Sequence, residues 1–126
     1  MRDITTADAP GGSGPFSQAI VAGEMVYTAG QGGVDPETGE IVDGGIATET
    51  ARTLENIDAI LNAEGLSLDD VIKVNVFLTD IDDYDGLNET YETYFSEPYP
   101  ARSVVEVSDL PIDICVEIET VAYAGE

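Results

Sequence analysis

The chain contains no histidine, one cysteine (Cys115), one lysine (Lys73) and three arginines (Arg2, Arg52 and Arg102), set against 26 acidic residues. Each shortage removes a class of function. Without histidine, Ser-His-Asp and Cys-His catalytic arrangements cannot be built within one chain, nor can a His-ligated metal site. Acid–base chemistry is left to carboxylates, tyrosines and backbone groups. The acids show no EF-hand spacing, so no metal site is expected. A lone cysteine excludes a disulfide framework. Four cations make no basic patch able to displace counterions, which argues against a nucleic-acid partner. No apolar run approaches the ~18 residues of a membrane span, and the opening residues "MRDITTADAP" lack the apolar segment of a secretory signal. No membrane association and a cytoplasmic setting are therefore expected.

What is present is a hydrophobic content of 43% and a mean hydropathy of -0.01, which suits a folded domain and not an acidic tail. At 126 residues the chain reads as one domain, 1–126, long enough for a real core. The formal charge of -22 is spread over turns and helix faces. That pattern suits concentrated salt, where the Debye length falls to roughly 3 Å at 1 M and self-repulsion is screened.

Along the chain, "SQAIVAGEMVYTAG" (17–30) places two short apolar runs around Gly23-Glu24, a hairpin pattern. "VDPETGEIV" follows as a turn. Residues 46–63 set Ile46, Thr50, Leu54, Ile57 and Leu61 on one helical face, with Gly65 as the stop. "VIKVNVFLT" (71–79) is a β-branched strand. A second helix is expected at about 84–95, with an apolar stripe of Tyr84, Leu87, Tyr91 and Tyr94 or Phe95, ended by Pro98 and Pro100. Strands at 102–107 and 114–123 close the chain around the turn "SDLPID". The order β-β-α-β-α-β-β predicts an α+β fold, one sheet with both helices on one face.

Strand alternation then assigns faces. Ile72, Val74, Val76, Leu78, Ser103, Val105, Val107, Ile114, Val116 and Ile118 form an apolar set for the helix side. Lys73, Asn75, Phe77, Arg102, Val104, Glu106, Cys115, Glu117, Glu119, Val121 and Tyr123 form a mixed set on the other. This mixed face has no third layer to cover it, so other subunits are expected there, with charged groups lining clefts between them. Arg102 and Glu117 both fall on it, on neighbouring strands if the last two form a hairpin. A buried guanidinium needs a partner. Glu106, Glu117, Glu119 and a small carboxylate ligand all qualify on spacing, and an internal salt bridge competes with a ligand site. Cys115 reads as a small apolar filler.

Several segments carry a likeness to a known family: "GPFSQAI", "AGQ" followed by "DPETGEIV", "NETYETYF", and above all "PARSVVEV" with "VEIE". From about residue 5 to residue 122 the chain resembles the Rid family, the YjgF-type reactive enamine/imine deaminases. The resemblance implies a chorismate-mutase-like fold, a homotrimer with sites at subunit interfaces, and a reaction needing no cofactor. That reaction would be hydrolysis of 2-aminoacrylate- and 2-aminocrotonate-type enamines, or their 2-imino acid tautomers, to 2-oxo acids and ammonia. Arg102 would hold the substrate carboxylate, and Glu117 would position and activate water. Gly30, Gln31 and the backbone at Val104 would shape the pocket, with Phe16 as an apolar wall and Asn88 near the rim. Three positions depart from the best-known pattern: Phe16 replaces a frequent tyrosine, Ala29 a serine, and Val104 a cysteine. The Phe16 change also suggests the alternative of a noncatalytic trimer that senses small 2-oxo acids.

Overall fold

Residues 17–30 form the expected hairpin. Strands β2 (Ala19–Ala22) and β3 (Met25–Thr28) pair antiparallel with Ala22 opposite Met25. That leaves a two-residue loop, whose first corner needs a positive φ; Gly23 supplies it at 62°. The computed structural model describes residues 1–12 and 14–125; Ser13 and Glu126, which fall within the expected 1–126 domain, lie outside the described residues. A short strand that the sequence pattern did not reveal, β1 (Arg2–Ile4), adds to the hairpin edge beside β2. Its Arg2 pairs with Glu64, beyond the end of the first helix.

Helix α1 spans Ile46–Asn62 and buries Thr50, Thr53, Leu54, Ile57, Ile60 and Leu61 on its inner face. It ends where glycine was expected. Gly65 has φ 78°, its N–H donates to Asn62 O, and the Leu66 N–H reaches back to Leu61 O at 2.9 Å. This is the Schellman arrangement, in which a left-handed residue lets late carbonyls find donors. Strand β4 (Val71–Leu78), helix α2 (Tyr84–Tyr91), β5 (Ala101–Glu106) and β6 (Val116–Tyr123) complete the chain. No helix among the described residues is long and apolar enough to cross a membrane.

The six strands form one mixed sheet in the order β1-β2-β3-β6-β4-β5. Thus β5 and β6 are not a hairpin: β4 lies between them, antiparallel to β6 and parallel to β5. The parallel pairing follows from the connection, since a helical crossover through α2 returns β5 in the same direction as β4. Val26, Val74, Val76, Leu78, Val116, Ile118 and Ala122 pack with Leu54, Ile57, Ile60, Leu61 and Leu87 into one core.

The face assignments for β4 and β6 hold from Lys73 onward, but two details change. A β-bulge between Val71 and Lys73 puts Val71 opposite Ala122, which buries Val71 and leaves Ile72 47% exposed. More consequentially, β5 is reversed. Arg102 stands beside Val74, Val104 beside Val76 and Glu106 beside Leu78, all on the helix side. Ser103 and Val105 stand beside Asn75 and Phe77 on the open side, where Val105 is 47% exposed. Alternation alone put the apolar residues of β5 inward. Register with β4 decides otherwise: Arg102 is accommodated against α2, and Glu106 accepts the Ile81 N–H.

Candidate functional site

Because β5 is reversed, Arg102 and Glu117 lie on opposite faces of the sheet, each in its own hollow. The first hollow, about 400 Å³, is lined by Asn88, Tyr91, Glu92, Tyr99, Pro100 and Arg102. Helix α2 supplies the near wall. Arg102 Nη2 donates to Asn88 Oδ1 at 2.7 Å and to Tyr84 Oη at 3.3 Å. The guanidinium carbon sits 4.6 Å from the centre of the Tyr91 ring and 5.7 Å from that of Tyr84, within cation–π range. The Tyr91 ring itself stacks on Phe95, centroid to centroid 4.5 Å. Burial pushes the Tyr91 phenol up to about 12, opposed by the charge of Arg102.

Among the described residues, ion pairs within 4.0 Å are confined to Arg2–Glu64 and Arg52–Glu55. Arg102 therefore has no carboxylate partner among the described residues. The three acids that competed for it on spacing are all placed elsewhere. Glu106 accepts the Ile81 N–H at 2.8 Å, and Glu119 accepts from Asn75 Nδ2 at 3.1 Å. Glu117 faces the far side of the sheet.

Beside Arg102, β5 is an edge strand. The Val107 N–H donates to Leu78 O at 2.8 Å, and amides alternate in direction along a strand, so the Val104 N–H turns to the unpaired edge. A residue with a different side chain at 104 would present the same donor.

The second hollow, about 630 Å³, brings together Phe16, Ala29, Gly30, Gln31, Ile112 and Glu117. Gln31 exchanges backbone hydrogen bonds with Ile118 at 2.8 and 2.9 Å, which clamps the loop after β3 against β6 beside Glu117. A Cβ at Gly30 would stand 2.6 Å from Glu117 Oε2, so a side chain there would displace that carboxylate. Burial, and secondarily the charge of Glu119, raises the Glu117 carboxyl above its ordinary range. Within the protomer Arg102 does not offset this rise, because the sheet separates the two.

Phe16 is 53% exposed and forms the rim. The segment leading to it is held by Gln18, whose buried side chain accepts from the Thr6 N–H and donates to Ala9 O and Pro10 O. Cys115 packs on the core edge, with its thiol pushed up to about 12 chiefly by burial and then by Glu49. A thiol in that state is a weak nucleophile at neutral pH, in keeping with its reading as filler.

The sequence-expected residues thus divide into two sets. Arg102, Asn88 and the Val104 backbone belong to one hollow; Phe16, Gly30, Gln31 and Glu117 belong to the other. On spacing alone Tyr84 and Tyr91 read as a helix stripe for the core, and no pattern singles out Gln18. The signal for the tyrosines was their spacing with Asn88 (84, 88, 91), which puts three neutral hydrogen-bonding or π groups on one helix face.

A sequence profile described as Endoribonuclease L-PSP matches residues 6–124. A RutC family protein of Pyrococcus horikoshii is 55% identical over 120 residues, 95% of each chain. A human protein named 2-iminobutanoate/2-iminopropanoate deaminase is 44% identical over 124 residues, covering 98% of this chain and 90% of its own. Among solved structures, Escherichia coli TdcF with bound serine superposes with a TM-score of 0.92 at 44% identity, covering 98% of both chains. The chain belongs to the endoribonuclease L-PSP family, that is, the YjgF/Rid family.

Proposed function

We propose that the protein hydrolyses 2-imino acids, and the enamines that tautomerise to them, to 2-oxo acids and ammonia. The observation that carries this reading is an arginine held at the wall of an open hollow that pairs with no carboxylate among the described residues, in a chain rich in carboxylates. Such a group suits a small organic anion. The deaminase-named relative gives the reaction class its support. The serine bound in the structural neighbour supports a site that takes a small amino-acid-like ligand.

With Arg102 and Glu117 on opposite faces, one protomer cannot offer both to the same substrate. The reading therefore places the site where the Arg102 hollow of one protomer meets the Glu117 hollow of the next, in a homotrimer. The open sheet face, with Tyr27, Ile72 and Val105 each 47–48% exposed, gives such an assembly apolar area to bury. Arg102 and the Val104 N–H bind the substrate carboxylate and fix the imine carbon. Glu117 orients a water and takes its proton as the oxygen adds to that carbon. It returns that proton to nitrogen, giving a carbinolamine; it then carries the hydroxyl proton to the amine, the C–N bond breaks, and ammonia leaves as the C=O forms. The imine carbon is already electrophilic, so placement and a proton path supply most of what is needed.

The test exploits the split site. In concentrated KCl, 2-iminobutanoate is generated from threonine by a dehydratase, and its loss is followed with each variant. Arg102→Ala and Glu117→Gln should each lose at least about 100-fold in rate, the scale of a missing anchor or general base. Unfolded together and refolded as a mixture, they should regain part of the activity, because some interfaces then join an intact arginine to an intact glutamate. Binding of 2-oxobutanoate without acceleration would replace the enzyme by a sensor. Acceleration with no recovery in the mixture would place both groups in one protomer and overturn the split site.

A further inference from the structure

We propose that the face of α2 carrying Tyr84, Asn88 and Tyr91 is an electroneutral cradle that fixes Arg102 without discharging it, with Tyr91 as the principal positioning residue. This deepens the reading above, in which Arg102 grips the substrate carboxylate.

The composition of α2 makes the point first. Its sequence runs Tyr84-Asp85, then Asn88-Glu89, then Tyr91-Glu92, so each residue that touches Arg102 is followed directly by an acid. A rotation of the helix by one residue would set three carboxylates toward the guanidinium. Instead the arginine meets an amide oxygen at 2.7 Å, a phenol oxygen at 3.3 Å and an aromatic face at 4.6 Å. All three attract a cation, and none carries a full negative charge. An aspartate at position 88 would make a charge-assisted pair of the kind that excludes a ligand.

The geometry also leaves part of the guanidinium available. Both hydrogen bonds use Nη2; among the described residues Nε and Nη1 make none, which leaves their N–H donors for a ligand oxygen. The platform beneath is fixed, because Tyr91 is 5% exposed and stacked on Phe95. Its hydroxyl is buried without a hydrogen-bond partner among the described residues, so the ring is the part that serves the cation.

The experiment measures 2-oxobutanoate binding by calorimetry in concentrated KCl for the wild type, Asn88→Asp, Tyr91→Leu and Tyr91→Phe, with melting temperature and imine hydrolysis in parallel. Asn88→Asp should weaken binding roughly 10- to 100-fold, the scale of a lost charge-assisted contact, while its melting temperature stays level or rises. Tyr91→Leu should weaken binding about tenfold and raise KM more than it lowers kcat. Tyr91→Phe should restore most of that loss. The cradle is overturned if Asn88→Asp binds as the wild type does, or if Tyr91→Phe loses as much as Tyr91→Leu. It is equally overturned if the wild type does not bind the probe, or if every loss of binding tracks a fall in melting temperature. Binding that follows the expected order without any imine hydrolysis would sink the deaminase reading and leave the cradle standing.

Discussion

Glu117 shows how local surroundings set a residue's chemistry. Its carboxyl is raised above the ordinary glutamate range first by burial and then by Glu119, a neighbour two positions along the same face of β6. A general base works deprotonated, so activity should fall as pH drops through that raised value. In the proposed interface the facing Arg102 opposes that rise, so the informative readout is how the acid limb of the kcat/KM profile moves, not where it lies. Glu119→Gln removes a like charge, which lowers the Glu117 pKa and moves the limb to lower pH. A limb that stays put or moves upward in Glu119→Gln would contradict this assignment. Arg102 makes the complementary case. The "PARS" motif marked it as the anchor, but spacing left three acids as candidate partners, and only coordinates show that all three are engaged or turned away.

At the scale of elements, the sequence was most legible where one rule dominated. Helix α1 has a continuous apolar face and a glycine stop, and both appear as expected. Gly65→Ala should cost roughly 1–2 kcal/mol, the penalty of a side chain in left-handed backbone, without altering the fold; urea titration in concentrated KCl reads the difference. A variant as stable as the wild type would show that the Schellman turn is not what holds this end. Strand β5 was misread because its two faces, Ser103/Val105/Val107 and Arg102/Val104/Glu106, obey alternation equally well in either orientation. The apolar set was assigned inward by default. Pairing with β4 and the aromatic cover from α2 reverse it, since a guanidinium beside two tyrosine rings and an amide is well accommodated. Strand β1 escaped notice because three residues carry too little pattern to read.

For the molecule as a whole, 26 acids against four cations leave most carboxylates without a basic partner, and only two ion pairs stand among the described residues. The folded state concentrates this charge more than the unfolded chain does. Its melting temperature should therefore rise with KCl over the range in which the Debye length shrinks from roughly 10 Å to 3 Å. A melting temperature indifferent to KCl would remove the halophilic reading. The same screening bears on function, because an anionic substrate must approach a strongly negative surface before the local field of Arg102 takes over.

The sequence by itself determined the α+β class, the two helices, the hairpin, the family and the identities of the arginine and glutamate on which the chemistry is proposed to turn. These follow from periodicity, from turn residues and from motifs that are local in the chain. Only the tertiary structure decided that β4 separates β5 from β6, that Arg102 and Glu117 look out from opposite faces, and that α2 meets the arginine with neutral groups. The physical reason is that strand register and helix rotation are fixed by packing between distant segments. A shift of one residue in either exchanges inside for outside while leaving every local pattern intact.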